Sequence, residues 1–175
     1  MPALIKKLKG LGASLKKTEK HMKILLTGFE PFNKAKINPS QILVERMPTE
    51  LCGTEIIKLS SVPVVFYKAG EYVLKAVKEH RPDAVLCLGQ AGGRAAISIE
   101  RLAINLIDAS IADNAGNKPT DKPIFSDGEN AYFSSLPIKS ICESIKSRGI
   151  NAAISNSAGL FVCNQLMYTL LYYAA

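Results

Sequence analysis

The chain has 175 residues, 47% of them hydrophobic, with four cysteines, two histidines and a formal net charge of +7. That length buries roughly 70% of the unfolded surface, so one globular domain forms without a disulfide or metal staple. Cys52, Cys87, Cys142 and Cys163 contain no C-x-x-C pair and have no histidine cluster, which argues against a structural zinc site or a disulfide framework and fits a reducing, cytoplasmic setting.

The charge is unevenly spread. Residues 1–21 hold Lys6, Lys7, Lys9, Lys16, Lys17 and Lys20 against Glu19, or +5 of the +7, so residues 22–175 carry only +2. Leu4, Leu8, Leu11 and Leu15 recur at helical spacing among these lysines, but Gly10 and Gly12 weaken the helix. We read 1–21 as a basic, poorly ordered extension and 22–175 as the folded unit. Contact of 1–21 with a membrane or polyanion is the lesser reading, and nucleic acid is not an expected partner. No apolar h-region follows the lysines, and no run reaches the ~20 apolar residues of a membrane span.

Lys23–Thr27 reads as a buried strand ending at Gly28, followed by a loop through Pro31 and Pro39 and a helix that Ser40 begins. Thr54–Phe66 holds two β-branched runs interrupted by Pro63. Ala69, Tyr72, Val73, Ala76, Val77 and His80 share one face of a helix that stops at Arg81-Pro82. Asp83–Gly89 is apolar on both faces, the pattern of an interior strand covered on both sides. Ile97–Ile107 is a strand or hairpin arm, and 108–130 is loop. Ile138, Ile141, Cys142 and Ile145 mark another amphipathic helix between Pro137 and Gly149, Asn151–Ser155 a short strand, and residues from about Leu160 a last helix presenting Cys163, Leu166, Met167, Leu170 and Leu171.

Strands alternating with helices imply a three-layer αβα sandwich with a mostly parallel sheet. Loops leaving the carboxyl ends of such strands share one edge, where ligands bind. Three are chemically unusual: Gly28–Phe32, Gly89–Arg94, and Ser155–Gly159 leading into Cys163. Cys163 at a helix start is a candidate nucleophile, because unpaired N–H groups there favour the thiolate; the competing reading is a core cysteine like Cys87 and Cys142. Phe29 and Phe32 offer apolar walls, or simple core packing. Gln90 and Asn38 offer amide partners, for a ligand or for the loop itself. Glu100 either orients an imidazole, pairs with Arg101, or is a surface charge. The glycine loop matches neither nucleotide-binding fingerprint.

Met22–Phe32, Asn38-Pro39-Ser40, Gly89–Arg94, Ile97–Asn105, Asp113-Asn114 and Ser155–Asn164 stand in the order found in pyroglutamyl peptidase I, also called pyrrolidone carboxyl peptidase, and the chain resembles that cysteine exopeptidase family from Met22 to about Tyr173. The resemblance implies removal of N-terminal pyroglutamate through a thioester acyl-enzyme, no cofactor or metal, and a cytoplasmic homotetramer. It places the nucleophile on Cys163, the triad acid on Glu100, and the pyroglutamate pocket on Phe29, Phe32, Asn38, Gln90 and Val162. Two departures stand out. Ser110 occupies the place of the family's arginine in Asp108-Ala109-Ser110-Ile111, and the family's catalytic histidine falls beyond Ala175. A C-terminal strand and helix are then expected to be lacking, leaving a sheet edge and helix faces uncovered, with turnover weak or absent. The alternative is a non-catalytic homologue that binds pyroglutamyl peptides or partner subunits.

Overall fold

Residues 21–175 are described by a computed structural model; residues 1–20, and with them nearly all of the expected basic extension, lie outside the described residues. In chain order the elements are β1 (Lys23–Phe29), α1 (Pro39–Arg46), β2 (Glu50–Leu51), β3 (Thr54–Val62), α2 (Lys68–His80), β4 (Ala84–Leu88), β5 (Ile97–Glu100), β6 (Leu102–Ile104), β7 (Ala131–Phe133), α3 (Ile138–Lys146), β8 (Ala152–Ser155) and α4 (Val162–Ala174).

β1 is the axis of a mixed α/β fold whose sheet is mostly parallel. It pairs in parallel with β3 on one side and β4 on the other, and β2 adds an antiparallel edge, for the order β2-β3-β1-β4. Alternating side chains of β1 point to opposite faces. Ile24 and Leu26 enter a small cluster with Val44 of α1 and Ile56, while Leu25 and Phe29 enter the main core with Val73 of α2 and Val162, Leu166 and Tyr168 of α4. Helices therefore cover both faces of the sheet. β5 pairs in parallel with β8, and β6 antiparallel with β7, in two separate ladders.

Several expectations are corrected. α1 begins at Pro39 rather than Ser40, because Asn38 is the N-cap and proline, lacking the N–H that a helix start leaves unpaired, fits the first position. β4 is not an interior strand among the described residues. It bonds only to β1, and Leu86 is 37% exposed. An apolar run reports that a strand can be covered, not what covers it. Ile97–Ile107 divides into β5 and β6, which join different ladders, and residue 131 opens a strand inside a region with no strand pattern. On α2, Tyr72 and His80 face solvent, and Gly70 joins Ala69, Val73 and Ala76 in the buried stripe. α4 starts at Val162, later than Leu160.

Two close approaches hold the loop after β1. The Cβ of any side chain at Gly28 would stand 2.5 Å from the Ser40 carbonyl oxygen, so α1 reaches the sheet only over a glycine. Asn38, 1% exposed, accepts from the Ser40 N–H at 3.0 Å and from its hydroxyl at 2.8 Å, and donates to the Glu30 carbonyl at 3.0 Å. Ser40 Oγ in turn accepts from the Phe29 N–H at 3.1 Å. Glu30 extends the clip, its Oε1 accepting from the Val64 N–H at 3.0 Å and from Asn114 Nδ2 at 2.8 Å.

Asp113, buried beside that loop, accepts from the backbone N–H groups of Phe66, Ala115 and Asn117 and from the Asn117 amide. Burial works to raise its pKa, but the donors from Asn117, Phe66 and Ala115 outweigh it and leave the pKa below the usual carboxylate value. A depressed folded pKa stabilises the protein above the unfolded value near ~3.9, and the contribution is lost as pH falls through the folded pKa.

Two outcomes are expected. Gly28→Ala destabilises by about 1–3 kcal/mol through overpacking against α1, read as a lower denaturant midpoint; an unchanged midpoint would refute the close approach. Asp113→Asn lowers stability at neutral pH and flattens its acid dependence below about pH 4, checked by urea denaturation across pH 2–7.

Candidate active site

The parallel strands β1 and β4 send their carboxyl ends to one edge of the sheet, and the start of α4 meets them there. Cys163 is its second residue, between the fully buried Val162 and Asn164. Asn164 pins this turn: its Oδ1 accepts from the Ile104 N–H at 3.0 Å and its Nδ2 donates to the carbonyls of Ile104 at 2.9 Å and Leu106 at 3.0 Å. The thiol is thereby held over the end of β4. A Cβ built on Gly89 would lie 3.3 Å from Cys163 Sγ and 3.8 Å from the Phe29 ring, so sulfur, glycine and aromatic face meet at one point.

The thiol is not activated by this placement. Its pKa is pushed up to about 11, first by burial, then by the neighbouring Cys87 and Glu100, with only its own backbone N–H opposing. The expected lowering at the helix start gives way for a reason of magnitude. A helix terminus contributes about 0.3–1 kcal/mol, under one pKa unit, whereas burial can shift a group by as much as ~3–5 units. Cys87, opposite Thr27 on β1, is likewise pushed up to about 11 by burial, with the Thr27 side chain opposing. The Thr27 hydroxyl faces that thiol and has no other partner among the described residues.

Glu100 ends β5 opposite Ser155. Its Oε1 accepts from Arg94 Nη1 at 2.8 Å, while Oε2 is buried with no partner among the described residues. The ion pair is thus with Arg94, not Arg101. A buried carboxylate oxygen without a donor costs free energy and marks a place where a donor is wanted.

Phe32 packs against Phe161 with ring centroids 6.2 Å apart, and Phe161 meets Phe66 edge-on at 5.2 Å. Phe161 was not singled out in the sequence, although its position two residues before Cys163 was a usable signal. Gln90 is exposed on the loop after Gly89, and its amide makes no hydrogen bond among the described residues. Asn38 sits behind the Phe29–Phe32 loop, its carbonyl oxygen engaged by Ser40 and one amide hydrogen by Glu30. The structure therefore brings Cys163, Glu100 and Phe29 to one rim, with Phe32 joined through Phe161, and Val162 buried beneath.

Both histidines lie at the other edge. His21 Nδ1 donates to the Gly53 carbonyl, 3.2 Å away, in the turn before β3, and His80 ends α2 just ahead of β4. The five residues of β4 separate that edge from Gly89, about 16 Å at the rise of a strand. Two surface clefts, of about 490 Å³ beside Ile150 and about 440 Å³ beside Tyr67, do not have Cys163 on their walls. Among the described residues no group of His, Cys, Asp and Glu could hold a metal ion, and no helix is long and apolar enough to cross a membrane.

The family model for pyroglutamyl peptidase matches residues 22–175. The pyrrolidone-carboxylate peptidase of Streptococcus pneumoniae is 54% identical over 151 residues, covering 86% of this chain and 70% of that protein. That of Alkaliphilus oremlandii is 51% identical over 154 residues, covering 88% and 72%. Among solved structures, pyrrolidone carboxyl peptidase from Pyrococcus furiosus superimposes with a TM-score of 0.84 at 47% identity, covering 87% of this chain and 74% of that one. Pyroglutamyl peptidase I from Bacillus amyloliquefaciens gives 0.84 at 48% identity, covering 86% and 72%.

A thiol with its pKa raised to about 11 reacts through a small thiolate fraction. Alkylation of Cys163 by iodoacetamide, followed by peptide mass mapping, is expected to accelerate about tenfold per pH unit from pH 7 to 9 without a plateau. A plateau below pH 8 would show a preformed thiolate.

Proposed function

From the premise that this chain belongs to the pyroglutamyl peptidase family, we propose that Cys163 is the nucleophile of a site that removes pyroglutamate from the N-terminus of peptides. The observation that carries this reading is the meeting of Cys163 Sγ, Gly89 and the Phe29 ring at the start of α4, beside a Glu100 oxygen left without a donor.

Pyroglutamate is a neutral lactam with no α-ammonium, so its site needs flat apolar walls and amide partners rather than a carboxylate awaiting a cation. Phe32, half-buried, and Phe29, buried at the rim, are the aromatic walls; the fully buried Val162 supports them from beneath, and Gln90 supplies an exposed amide. Asn38 shapes the loop and keeps one amide hydrogen. The sulfur attacks the pyroglutamyl carbonyl carbon, and the backbone N–H of Cys163 donates to the oxyanion. Collapse expels the peptide amine with a proton and leaves a thioester. Water then cleaves the thioester, giving free pyroglutamate and restoring the thiol.

The thiol proton needs an acceptor. In a nucleophile–imidazole–carboxylate arrangement, Glu100 Oε2 accepts from the imidazole N–H and so holds the ring beside the sulfur. Neither His21 nor His80 stands there, and the thiol is pushed up to about 11. Turnover by these 175 residues is therefore expected to be low, since a positioned base contributes about 10²–10⁴-fold. The same two observations favour a second reading, in which the chain binds pyroglutamyl peptides without cleaving them.

A pyroglutamyl fluorogenic amide is expected to be hydrolysed slowly, and not at all by Cys163→Ala. Calorimetry with Cys163→Ala is expected to show binding of a pyroglutamyl amide in preference to its alanyl counterpart. Equal hydrolysis by Cys163→Ala would remove the nucleophile assignment, rapid turnover would remove the requirement for an imidazole, and equal binding of both amides would remove the pocket.

A further inference from the structure

Arg94 closes the glycine loop that runs from β4 to β5, and its guanidinium reaches three segments. Nη1 lies 2.8 Å from Glu100 Oε1 at the end of β5 and 3.4 Å from Ser155 Oγ at the end of β8, and Nη2 lies 3.4 Å from the Ser157 carbonyl in the loop entering α4. That loop is itself ordered. Ser155 Oγ donates to the Ser157 carbonyl at 3.0 Å, and Ser157 Oγ accepts from the Gly159 N–H at 3.1 Å. A planar fork with several donors can serve three acceptors at once, which a lysine ammonium on a flexible stem does less well.

We infer that Arg94 is a positioning residue for Cys163, acting through Glu100: it holds one carboxylate oxygen, leaves the other as the free buried acceptor, and offsets the carboxylate charge that would otherwise oppose a thiolate. The inference rests on the reading of Cys163 as nucleophile. Glu100 and the Cys87 thiol are the titratable groups that act on the Cys163 sulfur, Glu100 from β5 and Cys87 from β4. Arg94 is the cation paired with Glu100, and Arg101, next in the chain, has its Nε buried without a partner among the described residues. The pair is partly solvated, at 39% and 25% side-chain exposure, so its effect on the sulfur is a matter of charge balance more than of stability.

The test measures alkylation of Cys163 by iodoacetamide at pH 8 in the full chain, read by peptide mass mapping, with circular dichroism as the check on folding. Arg94→Ala is expected to slow alkylation about three- to tenfold, the effect of a pKa rise of roughly half to one unit. The effect is expected to shrink when Glu100→Gln is present in both members of the comparison, because the guanidinium is then no longer held by the 2.8 Å ion pair beside the sulfur. Arg94→Lys, which keeps the charge, is expected to recover most of the rate, and Arg94→Gln replaces the alanine variant if that one does not fold. A side chain that only ties loops together would, on removal, leave the rate unchanged or raise it by opening the loop. Either result, or a slowing that persists undiminished beside Glu100→Gln, overturns the inference. Alkylation requires no substrate, so failure to cleave pyroglutamyl amides counts against the proposed function and leaves this result standing.

Discussion

The attachment of α4 to β6 through Asn164 is the constraint on which the site depends. Its amide meets three backbone groups, and losing it would strand buried donors and acceptors at about 1–3 kcal/mol each. The polar side of α4 continues the attachment: Gln165 accepts from the Tyr67 N–H and donates to Thr169, and the Tyr168 hydroxyl donates to the Glu129 carbonyl. A helix held mainly by apolar packing can slide by a fraction of a turn. One held by a buried amide cannot, and Cys163, next to that amide, inherits the precision.

The same anchoring sets up the chemical problem of the site. Depth places the sulfur against Gly89 and Phe29, and depth also removes the water that would solvate a thiolate. Glu100 adds a negative charge nearby and keeps one oxygen without a donor. These are costs a purely structural core would avoid by substituting a small apolar residue. The proposed function gives them a use, a proton-carrying group seated between sulfur and carboxylate. Arg94, tying the glycine loop to the loop before α4, limits the electrostatic part of the cost.

Much of the architecture was legible in local pattern. β1, α2, α3, β8 and α4 follow from hydrophobic period and from Pro and Gly punctuation, which are properties of a few adjacent residues. The meeting of the first loop with Gly89 follows from the rule that parallel strands share a carboxyl edge, whereas the approach of α4 to them, from a strand in another ladder, does not. Illegible were the edge position of β4, the division of Ile97–Ile107 between two ladders, and β7, because pairing depends on residues distant in the chain. The partner of Glu100 could not be read either. Arg101 adjoins it in sequence, but Arg94, across a loop, is the residue in contact.

By itself, then, the sequence determined the alternation of strands and helices, the family likeness, and the candidate residues Cys163, Glu100, Phe29, Phe32 and Gln90, since these reside in residue identity and short-range spacing. Only the tertiary structure decided that burial outweighs the helix terminus at Cys163, that Asn38 acts mainly as a cap, that Arg94 pairs with Glu100 and that Phe161 packs on Phe32. Solvation, charge coupling and hydrogen-bond pairing are sums over neighbours in space, and no stretch of chain contains its own neighbours.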